Sequence, residues 1–125
     1  MNGDRLLLDS VIVIDHLNGI DRATEYLRSV LDVARISAIT RAEVLSGLAP
    51  GDVVVGKALL DRFPLISIDA PVADLAAELR RRFRWRLPDA LQAAAARHHG
   101  LLLVTRNTKD FPPRRHRFVR VPYEL

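Results

Sequence analysis

The chain lacks cysteine altogether, which excludes a disulfide framework, a thiolate metal site and a cysteine nucleophile. It also lacks any apolar stretch near the ~18 uninterrupted residues that a membrane span requires. Its opening, Met1-Asn2-Gly3-Asp4, has no basic segment of the kind that begins a secretory leader. These absences suit a reducing cytoplasm and no membrane. There are no internal repeats, no low-complexity tracts and no interior linker, so the 125 residues are read as one domain, 1–125, around a single core. The four histidines form neither an HxxxH pair nor a triad, and no ligand role is expected of them.

What is present is divided unevenly by charge. Residues 1–79 carry seven Lys/Arg against twelve Asp/Glu, whereas residues 80–125 carry twelve against three, and the whole chain is +4. A basic last third points to a polyanion such as nucleic acid, or to an acidic protein partner. A hydrophobic fraction of 49% describes a folded globular chain.

Short apolar runs alternate with helical periodicity. Leu6–Leu8 reads as a buried strand, and Ser10 as the cap of a first helix that Asn18-Gly19 stops. Asp21 is read as the cap of a second helix, residues 34–38 as a second strand, and Thr40 as the start of a third helix. A fourth helix is expected over 52–63, a third strand over 64–68, and a fifth helix from Asp69 or Ala70 to Phe83. Leu87-Pro88-Asp89 opens a sixth, Leu101–Val104 is the strongest strand, and Phe118–Val121 makes a last one. Strands alternating with helices predict an α/β fold on a mostly parallel sheet.

Carboxylates recur at the strand ends. Asp9 follows the first strand, Glu43 lies about a turn beyond the second, Asp89 opens the sixth helix, and Asn107 and Asp110 follow the strongest strand. Each has a structural alternative taken singly. Asp9 ends a strand, Glu43 completes a Thr40-x-x-Glu43 capping box, Asp89 complements a helix dipole, and Asp110 bonds within a turn. Taken together, parallel strands bring these ends to one edge, where three or four acids repel unless a cation neutralises them. Oxygen ligands without sulfur suit Mg²⁺ or Mn²⁺. Such a site activates a water for in-line displacement at phosphorus. Asp15, farther along the first helix, is read as an ordinary helix residue.

The segments 7–15 (LLDSVIVID), 36–47 (ISAITRAEVLSG), 87–96 (LPDALQAAAA) and 103–111 (LVTRNTKDF) resemble, in order and spacing, the PIN-domain family, and within it the VapC toxins of prokaryotic toxin–antitoxin pairs. The resemblance spans nearly the whole chain. It implies a three-layer α/β/α sandwich with a mostly parallel sheet of four or five strands, and a Mg²⁺- or Mn²⁺-dependent endoribonuclease. It further implies a VapB-like antitoxin as partner, and a homodimer. Carried over by position, Asp9, Glu43 and Asp89 match the metal-binding acids, with Asp110 as the fourth. Ser10, Thr105 and Asn107 support them, and Asn107 is the alternative fourth ligand.

The run Arg80–Arg86 mixes five arginines with Phe83 and Trp85, a combination suited to phosphates and unpaired bases. Arg82, Arg84, Arg86 and Arg106 are the RNA-binding candidates. The aromatics equally fit a core with solvated arginines around it. Arg114, Arg115, Arg117 and Arg120 form a second basic cluster, and either cluster could flank a protein interface. Rival readings are a PIN-like nuclease outside a toxin–antitoxin pair, a phospho-acceptor domain with Asp69 as acceptor, and a non-catalytic RNA-binding module.

Overall fold

A computed structural model describes residues 5–125. Strand β1 (Leu6–Leu8) is fully buried and leads into helix α1 (Ser10–Leu17) and helix α2 (Asp21–Val30). β2 (Ala34–Ser37) then feeds α3 (Ala38–Ser46). A 3₁₀ turn at Pro50–Asp52 precedes α4 (Val53–Leu60) and the short β3 (Leu65–Ile66). The chain continues through α5 (Ala70–Phe83), α6 (Leu87–His98), β4 (Leu102–Val104) and β5 (Val119–Arg120).

All five strands pair in parallel, in the order β3-β2-β1-β4-β5. Successive side chains of a strand point to opposite faces, and β1 serves two cores accordingly. Leu6 and Leu8 pack with Ile12, Val13, Leu27, Val44 and Leu60 from α1 to α4. Leu7 packs with Val72, Ala76, Leu79 and the alanines of α6. The result is the expected three-layer α/β/α sandwich. Ala90 and Ala93–Ala96 are all buried, and their small side chains let α6 lie close against both α5 and the sheet. Among the described residues no helix is long and apolar enough to cross a membrane.

The order places β1 and β4 at the centre. β1 continues to β2 and β3 on one side, and the chain crosses by α5 and α6 to β4 and β5 on the other. In open α/β sheets such a switch point leaves a crevice at the carboxyl ends of the two strands. Here the residues beside it are Asp9 and Thr105.

Three caps differ from expectation. Asp9 caps α1, accepting from the Ser10 N–H at 2.9 Å, so Ser10 is the first helical residue and its hydroxyl is free for other use. Ser37 caps α3, accepting from the Thr40 N–H at 3.2 Å, because β2 runs directly into the helix three residues earlier than the Thr40 capping box requires. Asp21 is the first residue of α2, and its N-cap Ile20 makes no side-chain bond.

Candidate active site

The backbone first fixes Asp9. Its N–H donates to the Val104 carbonyl at 2.9 Å, tying the end of β1 to the end of β4. Its buried carboxylate then accepts from Thr105 Oγ1 at 2.7 Å and from Gln92 Nε2 at 3.2 Å, besides the Ser10 N–H. Every donor is neutral. Burial pushes the Asp9 carboxyl up, and the bonds from Thr105, Ser10 and Gln92 only partly oppose it.

Gln92 belongs to a buried polar chain that the sequence reading did not single out. Ser37 Oγ donates to Gln92 Oε1 at 2.6 Å. Gln92 Nε2 also donates to Thr40 Oγ1 at 2.6 Å, and Thr40 Oγ1 donates to the Leu8 carbonyl at 2.9 Å. These bonds connect α6, α3 and β1 beneath Asp9. No buried side-chain nitrogen or oxygen among the described residues lacks a partner, so the network is closed and fixes the carboxylate's orientation.

The other acids surround this anchor. Glu43, exposed on α3, accepts from Ser10 Oγ at 2.9 Å. Asp89 lies in the first turn of α6. Its carboxyl is pushed up to about 6, first by burial, then by the charges of Asp9 and Asp110, with Glu43 adding to the rise and Arg86 opposing it. Asp110 accepts from Asn107 Nδ2 at 3.0 Å and donates its N–H to Asn107 Oδ1 at 3.3 Å, so Asn107 and Asp110 act within one turn. Asp9, Glu43, Asp89 and Asp110 therefore share one electrostatic field.

The donor set fits a hard divalent cation. It is all oxygen, Asp9 is buried with neutral partners alone, and Asp89 is raised by its acidic neighbours. Among the described residues no three Asp, Glu or His side chains form a ready cage.

Three successive residues after β4 each hold a different acid. Thr105 holds Asp9, and Asn107 holds Asp110 while its N–H donates to Thr105 Oγ1 at 3.0 Å. Between them Arg106 grips Asp15 twice, at 2.6 and 2.8 Å, and Tyr123 Oη donates to the same carboxylate at 2.8 Å. Asp15 is thus no ordinary helix residue. Burial pushes its carboxyl up, but Arg106 and Tyr123 outweigh that and hold it below the usual range. Arg106, expected to meet RNA, is committed to Asp15 instead.

The aromatic part of the Arg80–Arg86 run is also mostly structural. Trp85 is buried, stacks on Phe83 with centroids 4.6 Å apart, and donates its indole N–H to the Asp110 carbonyl at 3.0 Å. Arg82, Arg84 and Arg86 stay exposed. Arg84 takes a left-handed conformation, φ 58°, as it closes α5. Asp69 caps α5, accepting from the Val72 N–H at 3.2 Å.

The all-parallel α/β sandwich sets its switch-point crevice at the carboxyl ends of β1 and β4, beside Asp9. The PIN-domain model matches residues 6–113, and the chain belongs to that family. A toxin–antitoxin complex from Klebsiella pneumoniae is 35% identical, with TM-score 0.89, covering 96% of this chain and 99% of its own. FitAcB from Neisseria gonorrhoeae is 28% identical, with TM-score 0.78 and coverage of 96% and 99%. DNA-bound VapBC from Salmonella typhimurium, 22% identical with TM-score 0.76 and coverage of 87% and 91%, shares the fold. No curated protein matches the chain.

Proposed function

We propose that this chain is a VapC-like toxin, a divalent-cation-dependent endoribonuclease acting in the cytoplasm under the control of an antitoxin. The observation that carries this reading is the buried Asp9 carboxylate at the carboxyl ends of β1 and β4, held by neutral donors alone in a PIN-domain chain, with Asp89 beside it raised by burial and by the charge of Asp9. A cation beside Asp9 and Asp89 would relieve the repulsion that raises Asp89. Asp9, Glu43, Asp89 and Asp110 would hold Mg²⁺, or Mn²⁺ in its place. When bound, the ion supplies charge that acidifies an attacking water and balances charge developing at the phosphate.

The rest is the work of the chain's own side chains. Thr105 and Gln92 hold Asp9 in one orientation, Ser10 steadies Glu43, and Asn107 fixes Asp110. Arg86 is the cation that acts on Asp89. With exposed Arg82 and Arg84 it offers charge to an RNA strand approaching the acids. An antitoxin partner is supported by the toxin–antitoxin complex that is 35% identical over 96% of this chain. A homodimer rests on the family resemblance.

The test is cleavage of an unstructured RNA by the purified chain in Mg²⁺ or Mn²⁺, beside an EDTA control and Asp9→Asn. Metal-dependent cleavage lost in the variant is expected. Cleavage that survives either EDTA or Asp9→Asn would sink the assignment. A receiver-like reading gains nothing from the geometry, since Asp69 is occupied in capping α5.

A further inference from the structure

A second basic feature lies outside the acidic centre. A cavity of about 360 Å³ is walled by Arg82, Arg97, Arg115 and Arg117, and no carboxylate lines it. These arginines come from three separate segments: the last turn of α5, the last turn of α6 and the loop before β5. None is ion-paired among the described residues. Like charges gathered from distant parts of a chain repel one another unless an anion lies between them.

The aromatic rings beneath hold the guanidinium groups in place. Arg82 sits over the Phe83 ring at 5.2 Å, and Arg97 over the Phe118 ring at 6.0 Å. His116 is buried between Phe83, Trp85 and Phe118, and burial with the charges of Arg115 and Arg97 keeps its imidazole pKa low. A neutral ring there leaves a donor without adding a fifth charge.

The cleft adjoins Asp110, one of the acids. A neighbouring cavity of about 180 Å³ shares Phe83, Arg115 and His116 with it and reaches Asp110. We infer that the Arg82–Arg97–Arg115–Arg117 cleft is a phosphate subsite for single-stranded RNA, holding the strand on the Asp110 side of the scissile bond. This rests on the nuclease reading and extends it, because a strand seated there enters the acidic centre from one direction only. An acidic protein segment has the same charge, but the path to Asp110 favours the substrate.

The experiment measures binding without turnover. A short fluorescent, unstructured RNA is titrated in EDTA at several salt concentrations, using the full chain, Arg97→Gln/Arg117→Gln and Arg97→Lys/Arg117→Lys. The glutamine variant should bind about tenfold more weakly at low salt, with a log–log salt slope shallower by about 1.4, or about 0.7 per lost phosphate contact. The lysine variant should keep most of the slope. Both changed residues are exposed, so melting curves should match wild type. Wild-type affinity and slope in the glutamine variant would overturn the subsite. So would unchanged RNA binding beside weakened binding of a polyglutamate peptide, which would assign the cleft to an acidic partner. If wild type cuts RNA in Mn²⁺ but the variants bind alike, only the subsite falls. If wild type neither binds nor cuts RNA, the nuclease reading falls with it.

Discussion

Asp9 caps α1 and Asp15 lies six residues on within it, and both are buried, at 8% and 6% exposure. Asp15 receives a two-toothed guanidinium and a phenol, and its charge is neutralised within the fold. Asp9 receives a hydroxyl, an amide and a backbone N–H, all neutral, while other acids crowd its field. Burial acts on both in the same direction. What separates them is the charge of the donor. A buried acid with its own cation is architecture, whereas one with neutral donors and an acidic neighbour keeps a charge that the fold does not match.

The largest expected effect follows from removing the unneutralised charge. Asp9→Asn keeps the shape, so it should leave melting nearly unchanged or slightly raised in EDTA. Cleavage should fall by more than the roughly 10–100-fold that loss of a supporting residue costs. The rise in Tm on adding Mn²⁺ should vanish as well. A variant that still gains Tm from Mn²⁺ would mean that Asp9 is not central to the cation site.

Asp15 should respond in the opposite way. Arg106→Met leaves its carboxylate buried with only Tyr123, and breaking a buried pair from one side costs about 3 kcal/mol. In a chain of this size that is about a 10 °C fall in Tm. Asp15→Leu combined with Arg106→Met should recover much of the loss, since a well-packed apolar pair replaces a buried ion pair at little cost. Equal damage from the single and double variants, read by thermal melting, would contradict a neutralised pair.

Much of this contrast was legible in the sequence, though unevenly. β1, β4 and α6 announce themselves because a three-layer sheet buries its central strands on both faces, leaving continuous apolar runs, and because close helix packing selects alanine. The acids were legible because parallel strands send their carboxyl ends to one edge. Asp15 was not, because Arg106 and Tyr123 lie 91 and 108 residues away and no local period reveals them. Gln92 looked like an ordinary polar residue in an alanine-rich helix. Its signal was its place three residues after Asp89, on the same face. Thr40 had the spacing of a cap, but β2 ends at Ser37, which takes that place.

The residue that serves the unneutralised side most directly is Thr105. Thr105→Val removes the hydroxyl that donates to Asp9 and accepts from the Asn107 N–H, while nearly preserving volume. Activity should fall about 10–100-fold, with most of the effect in kcat and in the cation concentration needed for half-maximal rate. A change confined to RNA affinity would move Thr105 out of the support of Asp9.

The smallest effect is also the most specific. Burial and the charges of Asp9, Asp110 and Glu43 raise the folded Asp89 carboxyl to about 6, against about 3.9 for an ordinary aspartate. Between those values the folded chain binds the proton more tightly than the unfolded chain, so this group's contribution to stability declines as pH rises through the window. Above about 6 the loss is complete. Asp89→Asn cannot lose that proton, so in EDTA its Tm should exceed wild type at pH 7.5 and the gap should close toward pH 4. Because Asp89 is only partly buried, solvent screening limits the gain to about 1 kcal/mol, or about 4 °C. Saturating Mn²⁺ should reverse the order at pH 7.5, since wild type then gains from binding what the variant cannot. A constant Tm difference across pH 4–7.5 would show that Asp89 does not carry the repulsion of Asp9, Asp110 and Glu43, and the distinction between a neutralised and an unneutralised acid would rest on Asp9 alone.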